Sequence, residues 1–134
     1  MAAALVNAAV LAVVSLLPGG PTAPAGWDRS VSPGVQNLLH VPAYAVLTVL
    51  WLWALKVGWR VPVALLVAMA CGAYGAALEV AQAFIAGRTG SFADALLNAA
   101  GAAVGVVLVL LRVRPGARPS GADSARRGEE GNPA

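Results

Sequence analysis

Apolar and polar positions separate along this chain in blocks the length of whole helices. Residues 2–17, AAALVNAAVLAVVSLL, form an apolar run that stops at Pro18-Gly19-Gly20-Pro21. A second run opens at Ser32-Pro33, with serine placed as a helix cap and proline at the first helical position, and continues to about Val57. Pro42 falls inside it, which predicts either a kink there or a helix that becomes continuous only near Pro42. A third run extends from Pro62 to about Phe84 and is broken by Gly87 and Gly90. Ser91 opens a fourth that reaches Leu111 or Arg112. The pattern predicts an all-α bundle of four transmembrane helices over residues 1–112. After Arg112 the apolar period disappears and Arg, Gly, Pro, Ser and Glu dominate, so residues 113–134 read as a disordered tail.

Composition turns these runs into membrane spans. The 134 residues are 59% apolar and only 11% charged, against roughly 25% charged in a soluble domain. Mean hydropathy is +0.75. The first run is about 25 Å long as a helix, slightly short of a ~30 Å hydrocarbon core. Ala23-Pro24-Ala25 has the form of a signal-peptide cleavage site. No Lys or Arg precedes the run, however, and the site contains proline, so a retained helix is expected. Residues 18–31, with Trp27-Asp28-Arg29, read as a loop at a water interface. Trp51, Trp53, Lys56, Trp59 and Arg60 mark the opposite interface, where indole rings sit among headgroups. Cys71 is the only cysteine and reads as a small buried residue.

Charge then orients the spans. Lys56 and Arg60 lie in the second loop, and Arg112, Arg114, Arg118, Arg126 and Arg127 lie at or beyond the end of the fourth run. With four spans these two regions share one side, and the excess of Lys and Arg makes it cytoplasmic. Both termini then face the cytoplasm in a multi-pass protein of the cell membrane. The start of the second helix, the end of the third and the start of the fourth meet at the outer face.

Those three ends carry the candidate chemistry. Glu79 and Gln82 are three residues apart and share a helix face. A carboxylate at that depth needs a partner or a task. Arg88 is the nearby cation, so Glu79 reads either as an acid/base or cation-binding group or as a structural partner of Arg88. Asp94 and Asn98 are four apart, with Gly101 and Gly105 continuing down the fourth helix. Gly101-x-x-x-Gly105 admits a close helix, and the small residues Ala68, Gly72, Gly75 and Ala76 nominate the third helix as its partner. Ser91-Phe92-Ala93-Asp94 reads as a capping box. His40 and Tyr44 are four apart on the second helix. A multi-histidine metal site is excluded by the single histidine. One His with Glu and Asp can ligate a metal, but nothing in the spacing sets a ligand geometry, so proton transfer or a hydrogen bond to a carboxylate is the expectation and no metal or other cofactor is assigned. Asn7 and Ser15 are expected to bond backbone. No phosphate loop or nucleophile elbow occurs, and only the tail is basic, so nucleic acid is not expected as a partner.

The motif His40-x-x-x-Tyr44, followed by Glu79-x-x-Gln82-x-Phe84-x-x-Gly87-Arg88-x-x-Ser91-x-x-Asp94-x-x-x-Asn98-x-x-Gly101-x-x-x-Gly105, resembles the VanZ-like family of small bacterial integral membrane proteins. The match covers Gln36 to Leu111. The family often has Asp-Lys four and three residues before the histidine, where this chain has Gln36 and Asn37. Arg88 is then left as the cation expected to serve the carboxylates. The family's named member is associated with low-level resistance to the glycopeptide teicoplanin, so the resemblance implies a cell-envelope role and a link to glycopeptide resistance.

Three functions compete. In the first, the chain binds or modulates an envelope lipid or glycolipid at the outer face, with Tyr44, Gln82, Arg88, Ser91 and Asn98 as binding residues. In the second, it is an intramembrane enzyme acting on a lipid-linked precursor, with Glu79, Asp94 and His40 as catalytic candidates and Arg88 holding an anionic group. A transporter is third, since four spans are few and no inverted repeat is visible. Binding is preferred because no nucleophile is evident.

Overall fold

A computed structural model describes residues 1–17, 33–57, 60–85 and 87–112. Its elements are α1 (Ala2–Leu16), α2 (Pro33–Ala54), α3 (Val61–Gln82) and α4 (Phe92–Arg112). The expected interfacial loop around Trp27, the Ser32 cap, Trp59, the side chain of Gln36 and the tail from residue 113 lie outside the described residues.

The described residues form helices only, in the manner of a membrane protein. Three helices, α2, α3 and α4, are long and apolar enough to cross a bilayer, whereas α1 is a shorter apolar helix of 15 residues. The expectation of four full spans is met by three, because about 22 Å of helix falls short of a ~30 Å core. Polarity runs inside out. Leu65, Leu66, Met69, Val80, Phe84, Val107 and Leu111 are exposed, while Thr48, Glu79, Gln82 and Asn98 are buried. In water that arrangement is unfavourable, but in lipid the exposed apolar belt has a matching solvent.

Helix α2 is continuous through Pro42. It ends at a Schellman motif: the Val57 N–H donates to the Leu52 carbonyl at 3.2 Å and the Lys56 N–H to the Trp53 carbonyl at 3.1 Å. Lys56 takes the left-handed conformation, φ 52°. The accompanying apolar contact is present too, since Val57 and Leu52 are buried in one cluster with Ala64, Val106 and Val109. A second cluster of Tyr44, Leu47, Cys71 and Ala102 fills the middle of the bundle. Cys71 is buried, as expected.

The most extensive packing joins α2 to α4. A Cβ on Gly101 would collide with the Val41 carbonyl and the Tyr44 side chain, and one on Gly105 would lie 2.7 Å from the Ala45 carbonyl. The Gly101–Gly105 stripe therefore seats α2, which corrects its assignment to the third helix. The small surface of α3 does meet α4: Gly72 lies against Ala99, and a Cβ on Gly75 would be 2.7 Å from Asn98 Cβ. Helix α4 is thus wedged between the other two spans, with Asn98, Gly101, Ala102, Gly105, Val106 and Val109 buried at helical spacing. Helix α1 leans on this core through Ala8 and Leu11, and the Tyr74 hydroxyl donates to the Ala8 carbonyl at 2.7 Å. Asn7 departs from expectation: its Oδ1 is buried with no partner among the described residues.

Candidate functional site

The connections between α2 and α3 and between α3 and α4 are short, so successive spans run antiparallel. His40 near the start of α2, Glu79 near the end of α3 and Asp94 in the first turn of α4 consequently share one end of the bundle. They converge there: one nitrogen of His40 and one carboxylate oxygen each of Glu79 and Asp94 all lie within 4.8 Å of one another. Neighbours separated by as many as 54 positions are assembled by three helices.

Each member is held by a different device. The His40 Nδ1–H donates to Asn98 Oδ1 at 2.7 Å, and Asn98 is 1% exposed, so the imidazole is fixed against α4. Gly75 makes this possible, because a side chain there would strike both Asn98 and Tyr44. Glu79 is 5% exposed, and its Oε2 accepts the Ser91 N–H at 3.0 Å. The loop reaches that bond through a left-handed Gly87, φ 74°, and through Gly90, whose lack of a Cβ lets it approach the Glu79 carbonyl. Ser91 Oγ in turn accepts the Asp94 N–H at 3.2 Å, the N-cap half of the expected capping box. Asp94 is half-buried, and its Oδ1 is out of contact with solvent and has no hydrogen-bond partner among the described residues.

The remaining candidates have other surroundings. Tyr44 is 3% exposed within the apolar core, where it packs beneath Asn98 and Gly101. Gln82 is buried as the last residue of α3. Arg88 Nε donates to the Leu17 carbonyl at 3.0 Å, and no ion pair joins it to Glu79 or Asp94 among the described residues. The expectation that Arg88 serves the carboxylates is therefore corrected: its guanidinium ties the end of α1 to the α3–α4 loop. Asn37 is exposed on α2. Gly75 and Gly90 position the site although the sequence marked one only as a small residue and the other only as a breaker. Their signal was a glycine directly facing a polar position, legible only with the partner helix in place.

Beside this cluster an apolar groove of about 530 Å³ follows the seam between α2 and α4, lined by residues that include Val41, Pro42, Val49, Trp53, Val104 and Leu108. It begins one residue past His40 on α2.

A family model described as VanZ/LLP1 matches residues 5–113. Neither the curated proteins nor the solved structures contain a match to the chain.

Proposed function

We propose, for a chain that belongs to the VanZ/LLP1 family of membrane proteins, that it binds an amphipathic cell-envelope lipid or glycolipid, with the polar head at the His40–Glu79–Asp94 cluster. The observation that carries this reading is the convergence of three ionisable side chains from three helices at one bundle end, with an acceptor oxygen of Asp94 left unpartnered. A cluster serving only to lock helices would be expected to spend its hydrogen bonds internally. The adjoining groove has the apolar lining that an acyl or prenyl chain takes. The excess of Lys and Arg at the other end supports an outward-facing site in the cell membrane. A place in glycopeptide resistance would follow if the bound head belongs to a cell-wall precursor or to the lipid that carries one.

Native mass spectrometry of the protein released from nanodiscs tests this, using phosphatidylglycerol, a polyprenyl phosphate and a neutral glycolipid as probes. The expected result is one retained lipid of a single class, with retention falling at least ~10-fold in Glu79→Gln while helicity and insertion are unchanged. If Glu79→Gln fails to fold, or if it retains every probe like the parent, the cluster is structural. The same convergence of two carboxylates and an imidazole is also an acid–base set, so turnover of any retained lipid would move the assignment to the enzyme reading.

A further inference from the structure

Two carboxylates and one imidazole face one another at the polar end of the bundle, and no Lys or Arg side chain pairs with them among the described residues. Glu79 is 5% exposed and Asp94 Oδ1 is buried without a hydrogen-bond partner among the described residues, so two carboxyl groups stand together inside a membrane protein. Carboxyl groups gathered beside an imidazole at such a depth are a ligand set for a cation. We infer that His40, Glu79 and Asp94 form a site for a divalent transition metal of the Zn²⁺ type, with one nitrogen and two carboxylate ligands and at least one position open.

The ligand chemistry fits that class of ion. Zn²⁺ accepts imidazole nitrogen and carboxylate oxygen together, and three protein ligands with an open fourth position is the arrangement of reactive zinc sites. Mg²⁺ and Ca²⁺ prefer all-oxygen shells, so the histidine argues against them. With Nδ1–H donating to Asn98, Nε2 carries the lone pair that a metal takes. One Glu79 oxygen is likewise steadied by the Ser91 N–H, and the free acceptor is Asp94 Oδ1. A tetrahedral ion with bonds of about 2.1 Å holds its ligands about 3.4 Å apart. Loading the ion requires the present set, all within 4.8 Å, to draw closer to that distance. No one helix could supply the site, since each contributes a single ligand.

The inference uses the same side chains as the lipid-binding reading but stands without it. The full chain is purified on an affinity tag lacking histidine, stripped with chelator, exchanged into nanodiscs and titrated with ZnCl₂ by calorimetry, with X-ray absorption on the loaded protein. The expected result is one Zn²⁺ per chain with an N/O shell containing one imidazole, and no sulfur from Cys71. His40→Gln and Asp94→Asn abolish the stoichiometric site, and Asn98→Ala weakens it by about 10- to 100-fold, with circular dichroism unchanged. Absence of binding by folded wild-type protein overturns the inference. So does binding that is equal in wild type, His40→Gln and Asp94→Asn, because the ion then sits elsewhere. Should any variant lose its fold, the wild-type stoichiometry and the imidazole signature decide alone. Repeating the lipid measurement with chelator separates the two readings. Zinc without lipid retention removes the lipid function and leaves the metal site, and lipid retention without stoichiometric zinc does the reverse.

Discussion

Gly72 and Gly101 look alike in the sequence, each a small residue in an apolar helix, and their neighbours set them apart. A methyl group on Gly72 would meet Ala99 at 3.6 Å, an ordinary contact, whereas one on Gly101 would strike the Val41 carbonyl, which belongs to backbone and cannot rotate away. Gly101→Ala is therefore expected to destabilise the bundle by about 1–3 kcal/mol, the usual range for overpacking. Gly72→Ala is expected to be neutral or to stabilise by up to about 1 kcal/mol, through the lower entropy cost of alanine in a helix. Reversible unfolding in mixed micelles checks the pair, and equal effects of both would discredit the α2–α4 seam. The polar residues teach the same lesson. Glu79, Asp94 and His40 were recognisable as chemistry from their place in apolar runs. The role of Asn98, holding the imidazole, depended on which residue of another helix stood opposite it.

Helix ends carry the next level of control. The start of α4 is capped by Ser91, whose hydroxyl serves Asp94 while its backbone N–H serves Glu79. These are separable functions of one residue. Ser91→Ala removes the hydroxyl bond and is expected to cost about 1 kcal/mol, and Ser91→Thr to restore most of it. Hydrogen exchange should quicken at the Phe92–Ala95 amides in Ser91→Ala, with the end of α3 unaffected because the bond to Glu79 uses backbone. Faster exchange at both ends would mean that cap and carboxylate bond are one cooperative unit. The Ser91 N-cap and the approximate helix boundaries were legible in advance, because caps and breakers act over three or four residues, whereas the reciprocal half of the capping box does not form, since the Ser91 N–H goes to Glu79. The passage of α2 through Pro42 was one of two readings the sequence left open, since a proline ring in mid-helix is accommodated or not according to its surroundings.

At the scale of the molecule, a bundle with a buried carboxyl group and an exposed apolar belt suits a bilayer. Charge placement predicts the orientation. In a Cys71→Ala background, a membrane-impermeant maleimide added to intact cells is expected to label Thr89→Cys, while Lys56→Cys reacts only after permeabilisation. Both positions are exposed on the protein, so accessibility is decided by the membrane alone. The reverse pattern would place the polar cluster toward the cytoplasm and refer any ligand to the inner leaflet.

The helices, their depth relative to one another and the end of the bundle at which the polar groups gather follow from the order of residues, because hydrophobic period, caps and loop length are local properties. Which faces meet does not. Azimuthal pairing depends on side-chain volumes from two or three helices at once, and so Gly101 and Gly105 receive α2 although α3 offered an equally small surface. Long-range charge pairing is likewise a property of the folded molecule. Arg88, six residues from Asp94 in sequence, spends its Nε on the Leu17 carbonyl. Glu79 and Asp94 thereby gather beside His40 with no cation paired to them among the described residues, and that convergence is the physical ground for expecting a ligand there.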